Sequence, residues 1–279
     1  MAPAALPSVL IVSYRRPELL QRCLRSLTSH APDWPVQVWD NASPEADAFR
    51  ELSAEHPQVS WHWHDENIGF GAAVNRLAEL SEGDLLLLNP DAELLRSPDV
   101  LRQALSGSPR VAAVGPLIEV AGLRPWDNAR RLPGVTRMIV EYWGLSDVLR
   151  GTPLSQRYRS APRTAGYVSG ACLLLRRSAW DQVGPFDERF WLYSEEVDWS
   201  RRAHAAGWTI GLLNEVLVRH VGGASSELGA SERTGPNWLL DMQQAYLAKH
   251  HGRRAAATYA TAARSFDRLR AARRRRRQA

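Results

Sequence analysis

SVLIVSYRRPELLQRCLRSL, residues 8–27, decides the fold. Ser8–Ser13 is a short apolar run with no polar alternation, the pattern of a strand covered on both faces. Pro17 follows where a helix can start, because its φ is already helical and it has no N–H to satisfy. Leu19, Leu20, Cys23, Leu24 and Leu27 then recur at helical spacing. A buried strand feeding an amphipathic helix is the first half of a βαβ unit. The alternation continues with a strand over 36–39 that ends at Asp40, a helix over 45–56 and a strand over 59–64. A helix over 69–80 opened by glycines follows, then a strand over 84–88 that ends at Asn89-Pro90-Asp91. The predicted fold class is α/β, a single domain with a mainly parallel twisted sheet flanked by helices on both faces. In such sheets ligands gather at the carboxyl ends of the strands. Ser13, Asp40 and Asp91 all fall there.

Further along, the pattern predicts a helix over 98–106, strands over 111–115 and 168–175, and a helix over 195–206. Two short strands over 209–213 and 216–219 and a terminal helix over 237–250 complete it. Residues 122–163, rich in Gly, Pro, Arg and Trp, read as irregular, and long irregular segments are often functional. The expected organisation is a domain over 1–248, with a first half over 1–115 and a second over 116–248, followed by a basic helical tail over 249–279.

The chain of 279 residues is 44% hydrophobic and 23% charged. That composition excludes wholesale disorder and collagen-like repeats. No apolar run approaches the roughly 20 residues that span a bilayer, and the expected compartment is the cytosol. Two cysteines, Cys23 and Cys172, make neither a disulfide framework nor a zinc site. The net charge is +5, but Lys249 and the ten arginines after it face only Asp267, which leaves about −5 on residues 1–248. A basic tail suits an anionic lipid surface or nucleic acid; it is also the ordinary composition of a solvated chain end.

Several short motifs carry possible chemistry, each with a plainer structural reading. Asp91, at the end of a strand, can hold Mg²⁺ or Mn²⁺ while the ion grips a diphosphate; Asx-Pro turns also follow strands for purely structural reasons. Asp40 can accept a hydrogen bond from a pyrimidine imide, or close an Asx turn. Glycines at 69 and 71 before a helix let backbone N–H groups approach phosphate. Glu195, Glu196 and Asp198 crowd three carboxylates into four positions, which can raise one pKa toward general-base duty. They are equally acids in a helix's first turn, with Asp198 facing Arg202 at i,i+4. His220 can ligate a metal through neutral imidazole, or be structural. His62 and His64 share a strand face and could chelate metal or simply be solvated.

Taken in order, these pieces resemble the family 2 glycosyltransferases of the GT-A fold, over about residues 9–252. The resemblance rests on VLIVSYRRPELLQRCLRSL, VWDNAS, ENIGFGAAVNR, LLLLNPDAEL, GYVSGACLLLRRSAWDQVGPFDERFWLYSEEVDWSRRAHAAGW, RHVGGAS and AYLAKHHG. Within the family the chain is similar to bacterial rhamnosyltransferases, with GLRPWDNARRLPG matching their acceptor-side segment. The resemblance implies an inverting, metal-dependent hexosyltransferase of cell-envelope polysaccharide synthesis. It would use a nucleotide-diphosphate sugar, dTDP-L-rhamnose favoured, and a glycan or lipid-diphosphate-linked acceptor. It also implies work at the inner face of a bacterial membrane, where the charge of the arginine tail would suit anionic lipid. Ser13, Tyr14, Arg15, Asp40, Asn41, Asn67, Gly69, Phe70, Asn75 and Asn89 would contact the nucleotide sugar. Asp91 would bind both donor and metal, His220 the metal, and Gly170 would line the donor cleft. Glu196, or its rival Glu195, would be the base. UDP-N-acetylglucosamine or UDP-galactose are alternative donors within the same fold. A non-catalytic nucleic-acid-binding protein acting through the tail is the alternative from another class; the reading adopted has no nucleic-acid partner.

Overall fold

The computed structural model describes residues 5–220 and 238–278, with side chains through Ala272. The elements run β1 (Ser8–Ser13), α1 (Pro17–His30), β2 (Val36–Asn41), α2 (Ala46–Glu55), β3 (Ser60–His64), α3 (Phe70–Glu79), β4 (Leu85–Leu88), β5 (Ala92–Leu94), α4 (Asp99–Ser106) and β6 (Val111–Glu119). Then come β7 (Ala129–Arg130), α5 (Val135–Tyr142), β8 (Thr164–Ala165), β9 (Tyr167–Val168), β10 (Cys172–Leu175), α6 (Arg177–Val183), α7 (Glu195–Ala205) and β11 (Thr209–His220). Two helices, α8 (Trp238–His251) and α9 (Arg253–Gln278), close the described chain.

The main sheet is ordered β3-β2-β1-β4-β10-β6-β11-β5, with β8 paired to β11. β3, β2, β1 and β4 run parallel, β10 is reversed between β4 and β6, and β11 runs parallel to β6. Each strand divides its residues between the two faces with period two. Val9, Ile11, Leu86 and Leu88 join one core with the apolar stripes of α1, α2 and α4. Leu10, Val12, Leu85 and Leu87 join the other, with α3, α6 and α7. The leucines of α1 illustrate the energy involved: each fully buried one contributes roughly 1.5–3 kcal/mol. The expected α/β architecture, covered on both faces, is therefore the observed one.

The structure corrects several details. Positions 209–219 form one long strand, not two; its register against β6 shifts between Leu212 and Val216, so a bulge produces the break seen in the sequence. Positions 168–175 belong to β9 and β10, separated by the turn at 169–171. The segment 122–163 contains α5, which packs Met138 against Tyr246 and Leu247 of α8 and Tyr259 of α9 in a third apolar cluster. The expected helix over 237–250 is α8, with Asn237 outside the described residues, and the basic tail that follows is helical, as expected, in α9. The span of α8 crosses the 248/249 boundary. Tyr259, Ala260 and Ala263 of α9 are buried, so the first half of the basic segment is part of the packed structure. β10 and β11 also lie in the same sheet as the strands of the first half.

Candidate active site

The candidate site grows out of the carboxyl edge of the parallel strands. Ser13 ends β1 opposite Asp40 in β2, as the register dictates. Both are buried, and Ser13 Oγ and Asp40 Oδ1 have no hydrogen-bond partner among the described residues. Buried polar atoms are nearly always paired, so two neighbouring exceptions suggest a ligand that pairs them. Asp40 Oδ2 does accept a bond from the Ser43 N–H at 3.3 Å. Burial raises the Asp40 carboxyl above its ordinary range, and the Ser43 bonds offset this in part. The two strand-end loops are tied together where the Arg15 N–H donates to Ser43 Oγ at 2.8 Å. Arg15 (φ 62), Arg16 (φ 58) and Ala42 (φ 64) take left-handed backbone there. Such conformations cost roughly 1–3 kcal/mol each and collect at ligand sites. Tyr14 lies beside the Arg15 guanidinium, 5.4 Å from ring centre.

Asn41 connects this corner to the start of α3. Its Nδ2 donates to Asn67 Oδ1 at 2.8 Å, its Oδ1 accepts from the Ile68 N–H, and the Gly69 N–H reaches Asn67 Oδ1. Gly69 has φ +87, and a Cβ there would lie 2.5 Å from the Trp191 carbonyl oxygen, so only glycine fits. The Phe70 N–H donates to that same carbonyl, which ties α3 to the loop that leads into α7. Gly170 lies beside the Phe70 ring. Asn75 is different: both ends of its amide bond to Phe186, with Glu188 as a further acceptor. It fastens α3 to the 186–188 loop and does not face the strand-end loops.

A second corner follows β4. Asp91 Oδ1 lies 2.9 Å from His220 Nε2, and Asn89 Nδ2 lies 3.3 Å from the same nitrogen. The Asn89 N–H donates to the Ala171 carbonyl, which joins this corner to the turn before β10. Among the described residues no three His, Cys, Asp or Glu groups converge as a metal cluster. The carboxylate and imidazole do adjoin, and a hard divalent ion needs only one or two such protein ligands when diphosphate oxygens and water complete its shell. Glycines 222 and 223 and Ser225 of the RHVGGAS motif lie outside the described residues.

The carboxylate pair opens α7, after Tyr193 (φ 65) and Ser194 (φ 77), both left-handed. Glu196 lines a cavity of about 540 Å³ together with His220, Ser169, Ala171, Asn128 and Arg130. Glu195 is buried behind it, with its Cβ 3.5 Å from where a Cβ on Gly71 would stand. Oε2 of each glutamate is unpaired among the described residues. Burial raises both carboxyls above the ordinary range, and the repulsion from Glu196 raises Glu195 further. Backbone N–H groups of α7's first turn and of Gly170, and the Arg130 charge, hold Glu196 down in part. The third acid is structural: Asp198 is fully buried and bonded to Arg202 (2.8 Å), His250 (2.6 Å) and Lys249 (2.5 Å). It thereby clamps α7 to α8. His62 and His64 stack on Trp39, with ring nitrogens near Gln37 Oε1 and the Glu66 backbone.

The two corners and the glutamates are thus linked through the turn at 169–171, with Asp91 reaching the cavity through His220. Asp40 stands two strands away from β4 and is not among the cavity-lining residues. Sequence reasoning missed Asn128 and Arg130. Asn128 Nδ2 donates to the Pro116 carbonyl at 2.8 Å while its buried Oδ1 has no partner among the described residues. Arg130 pairs with Glu141 at 3.0 Å. Only their place in GLRPWDNARRLPG signalled them.

A protein-family profile described as glycosyltransferase like family 2 matches residues 3–239. The chain is 35% identical over 237 residues to N-acetylglucosaminyl-diphospho-decaprenol L-rhamnosyltransferase of Mycobacterium tuberculosis, covering 76% of this chain and 75% of that one. It is 29% identical over 232 residues to O-antigen biosynthesis protein RfbC of Myxococcus xanthus, covering 80% of this chain and 18% of that one. The fold resembles GalNAc-T7, solved with UDP, GalNAc and Mn²⁺, at a TM-score of 0.59 and 16% identity, over 79% of this chain and 44% of that one. It also resembles residues 1–349 of Staphylococcus aureus TarS at a TM-score of 0.54 and 13% identity, over 95% of this chain and 73% of that one.

Proposed function

The chain belongs to the family 2 glycosyltransferases, and on that premise we propose that it moves L-rhamnose from dTDP-L-rhamnose onto a hydroxyl of a lipid-diphosphate-linked glycan, with inversion. The observation that carries the reading is the cavity that joins Glu196 to His220 and, through it, to Asp91. Ser13 Oγ and Asp40 Oδ1 are where the thymine and ribose would find hydrogen-bond partners. An imide N–H donating to Asp40 would satisfy a buried oxygen that is unpaired among the described residues. Asp91 and His220 would hold Mg²⁺ or Mn²⁺, with Asn89 beside them, and the ion would neutralise charge on the departing diphosphate.

The protein's own part centres on Glu196. Its carboxylate would take the acceptor hydroxyl proton as that oxygen bonds to the anomeric carbon and the bond to diphosphate breaks. The products are the glycoside, dTDP and a protonated Glu196. A base whose pKa is raised toward the working pH accepts a proton better and is still ionised enough to act. Glu195, enclosed and held more strongly neutral, supports the turn instead of meeting the acceptor. Asn128 Oδ1 would accept a hydrogen bond from another acceptor hydroxyl.

Purified protein given dTDP-rhamnose and a lipid-diphosphate-linked N-acetylglucosamine should form a rhamnosylated product, and a panel of UDP-sugars should form little. Product from a UDP-sugar alone would reassign the donor. Chelation with EDTA should abolish transfer, with recovery on adding Mg²⁺ or Mn²⁺; unchanged turnover in EDTA would remove Asp91 and His220 from the metal assignment.

A further inference from the structure

We propose that the end of α5, the turn after it and α9 form one face that docks on an anionic lipid bilayer. Trp143 (37% exposed), Leu145 (40%), Val148 (81%) and Leu269 (57%) present large apolar side chains to solvent. Single exposed apolar residues are ordinary, but neighbouring ones mark contact surfaces. Here the link is direct. Trp143 stacks on Phe266 of α9 with ring centres 5.7 Å apart, and Leu269 follows Phe266 by three helical positions. The Arg270 guanidinium lies over the same Phe266 ring at 5.6 Å.

Charge selects the occupant. Asp267 is the only acid from residue 249 onward, and its Oδ2 accepts a bond from the Tyr142 hydroxyl at 2.8 Å. Arg268 and Arg270 have no ion-pair partner among the described residues, and Arg273 to Arg277 follow on the same helix. Aromatic and leucine side chains among arginines are the pattern of an interfacial helix, whose apolar groups enter the headgroup layer while its cations meet anionic lipid. A nucleic acid would match the charge but leave Leu145 and Val148 in water. The placement also connects with the site. α5 lines the cavity through Met138 and Glu141, and exposed Leu123 and Leu239 line it too. If the acceptor is lipid-linked, as proposed above, its sugar could enter the cavity while its lipid stays in the membrane.

The test is sedimentation of the full chain with phosphatidylcholine vesicles, with and without phosphatidylglycerol, at physiological salt. No donor or acceptor is present, so failure here leaves the transfer reading intact, and failed transfer leaves this one intact. The expected result is pelleting only with phosphatidylglycerol. Arg268→Gln with Arg270→Gln should weaken binding about 30-fold, from roughly 1 kcal/mol per arginine. Trp143→Ser with Leu269→Ser should weaken it about tenfold or more. Should that double variant melt early, Val148→Asp probes the same face without touching the Trp143–Phe266 stack. Wild-type protein that ignores anionic vesicles, apolar-face variants that pellet like wild type, or binding of a DNA duplex without vesicle pelleting would each overturn the proposal.

Discussion

Glu195 and Glu196 are adjacent and chemically identical, yet the fold gives them different surroundings. Glu196 meets the cavity, while Glu195 is enclosed against the start of α3. Glu196→Gln should lower turnover by about 10²–10⁴ with little change in nucleotide affinity, read by steady-state kinetics and calorimetry. Wild-type turnover should rise with pH through a value above the ordinary glutamate range if, as proposed, the ionised form of Glu196 is the base. Glu195 gives a stability prediction. Its folded-state pKa is raised, so the folded chain holds a proton that the unfolded chain releases first. Stability associated with it is complete below the unfolded value of about 4.3 and is lost as pH rises toward the raised value. Glu195→Gln should therefore raise the melting temperature at neutral pH and raise it less near pH 4. An equal gain at both pH values would mean that the carboxyl is not held neutral.

Single elements position these side chains through contacts that one residue can break. Gly69→Ala should cost about 1–3 kcal/mol and weaken nucleotide binding, since its left-handed backbone and the nearby Trp191 carbonyl leave no room for a Cβ. Asp198 clamps α7 to α8. Burial alone would raise its carboxyl, but the bonds from Lys249, Arg202 and His250 outweigh burial and lower it. Its contribution to stability is present above the unfolded value and is lost as pH falls through the lowered one. Asp198→Asn should cost about 3–5 kcal/mol at neutral pH, measured by denaturant titration, because it leaves cations without their buried partner. At this scale the sequence was most legible where an element is decided locally. β1, β4 and α1 announce themselves by apolar runs and helical spacing. The 122–163 segment does not, because its order depends on distant pairs such as Asp127 with Arg150, which meet across a loop. In α5 only eight residues follow Pro133 and Gly134, too few for a clear period, and its packing partners lie in α8 and α9. The candidate site was readable as strand-end carboxylates and a paired glutamate. Which glutamate meets the cavity was not, since it depends on how α7 turns against the 169–171 loop.

On the scale of the whole molecule, composition conceals how the chain ends. The arginines dominate the last 31 residues, yet the same helix packs Ala256 and Tyr259 against α5 and α8 and buries Ala260 and Ala263 as well. Cutting the chain at Gly252 would therefore uncover the third apolar cluster as well as remove charge. The truncated protein should melt several degrees lower, whereas a simple solvated tail would leave melting unchanged. Two strand-end corners of one sheet are linked to the paired carboxylate of α7 through the 169–171 turn, and the proposed function rests on that arrangement. Its most direct test is the transfer of labelled rhamnose from dTDP-rhamnose to a lipid-diphosphate-linked N-acetylglucosamine, with wild type and Glu196→Gln compared side by side. The expected result is an inverted glycoside from wild type and almost none from the variant; equal product from both would contradict the assignment of Glu196 as the base.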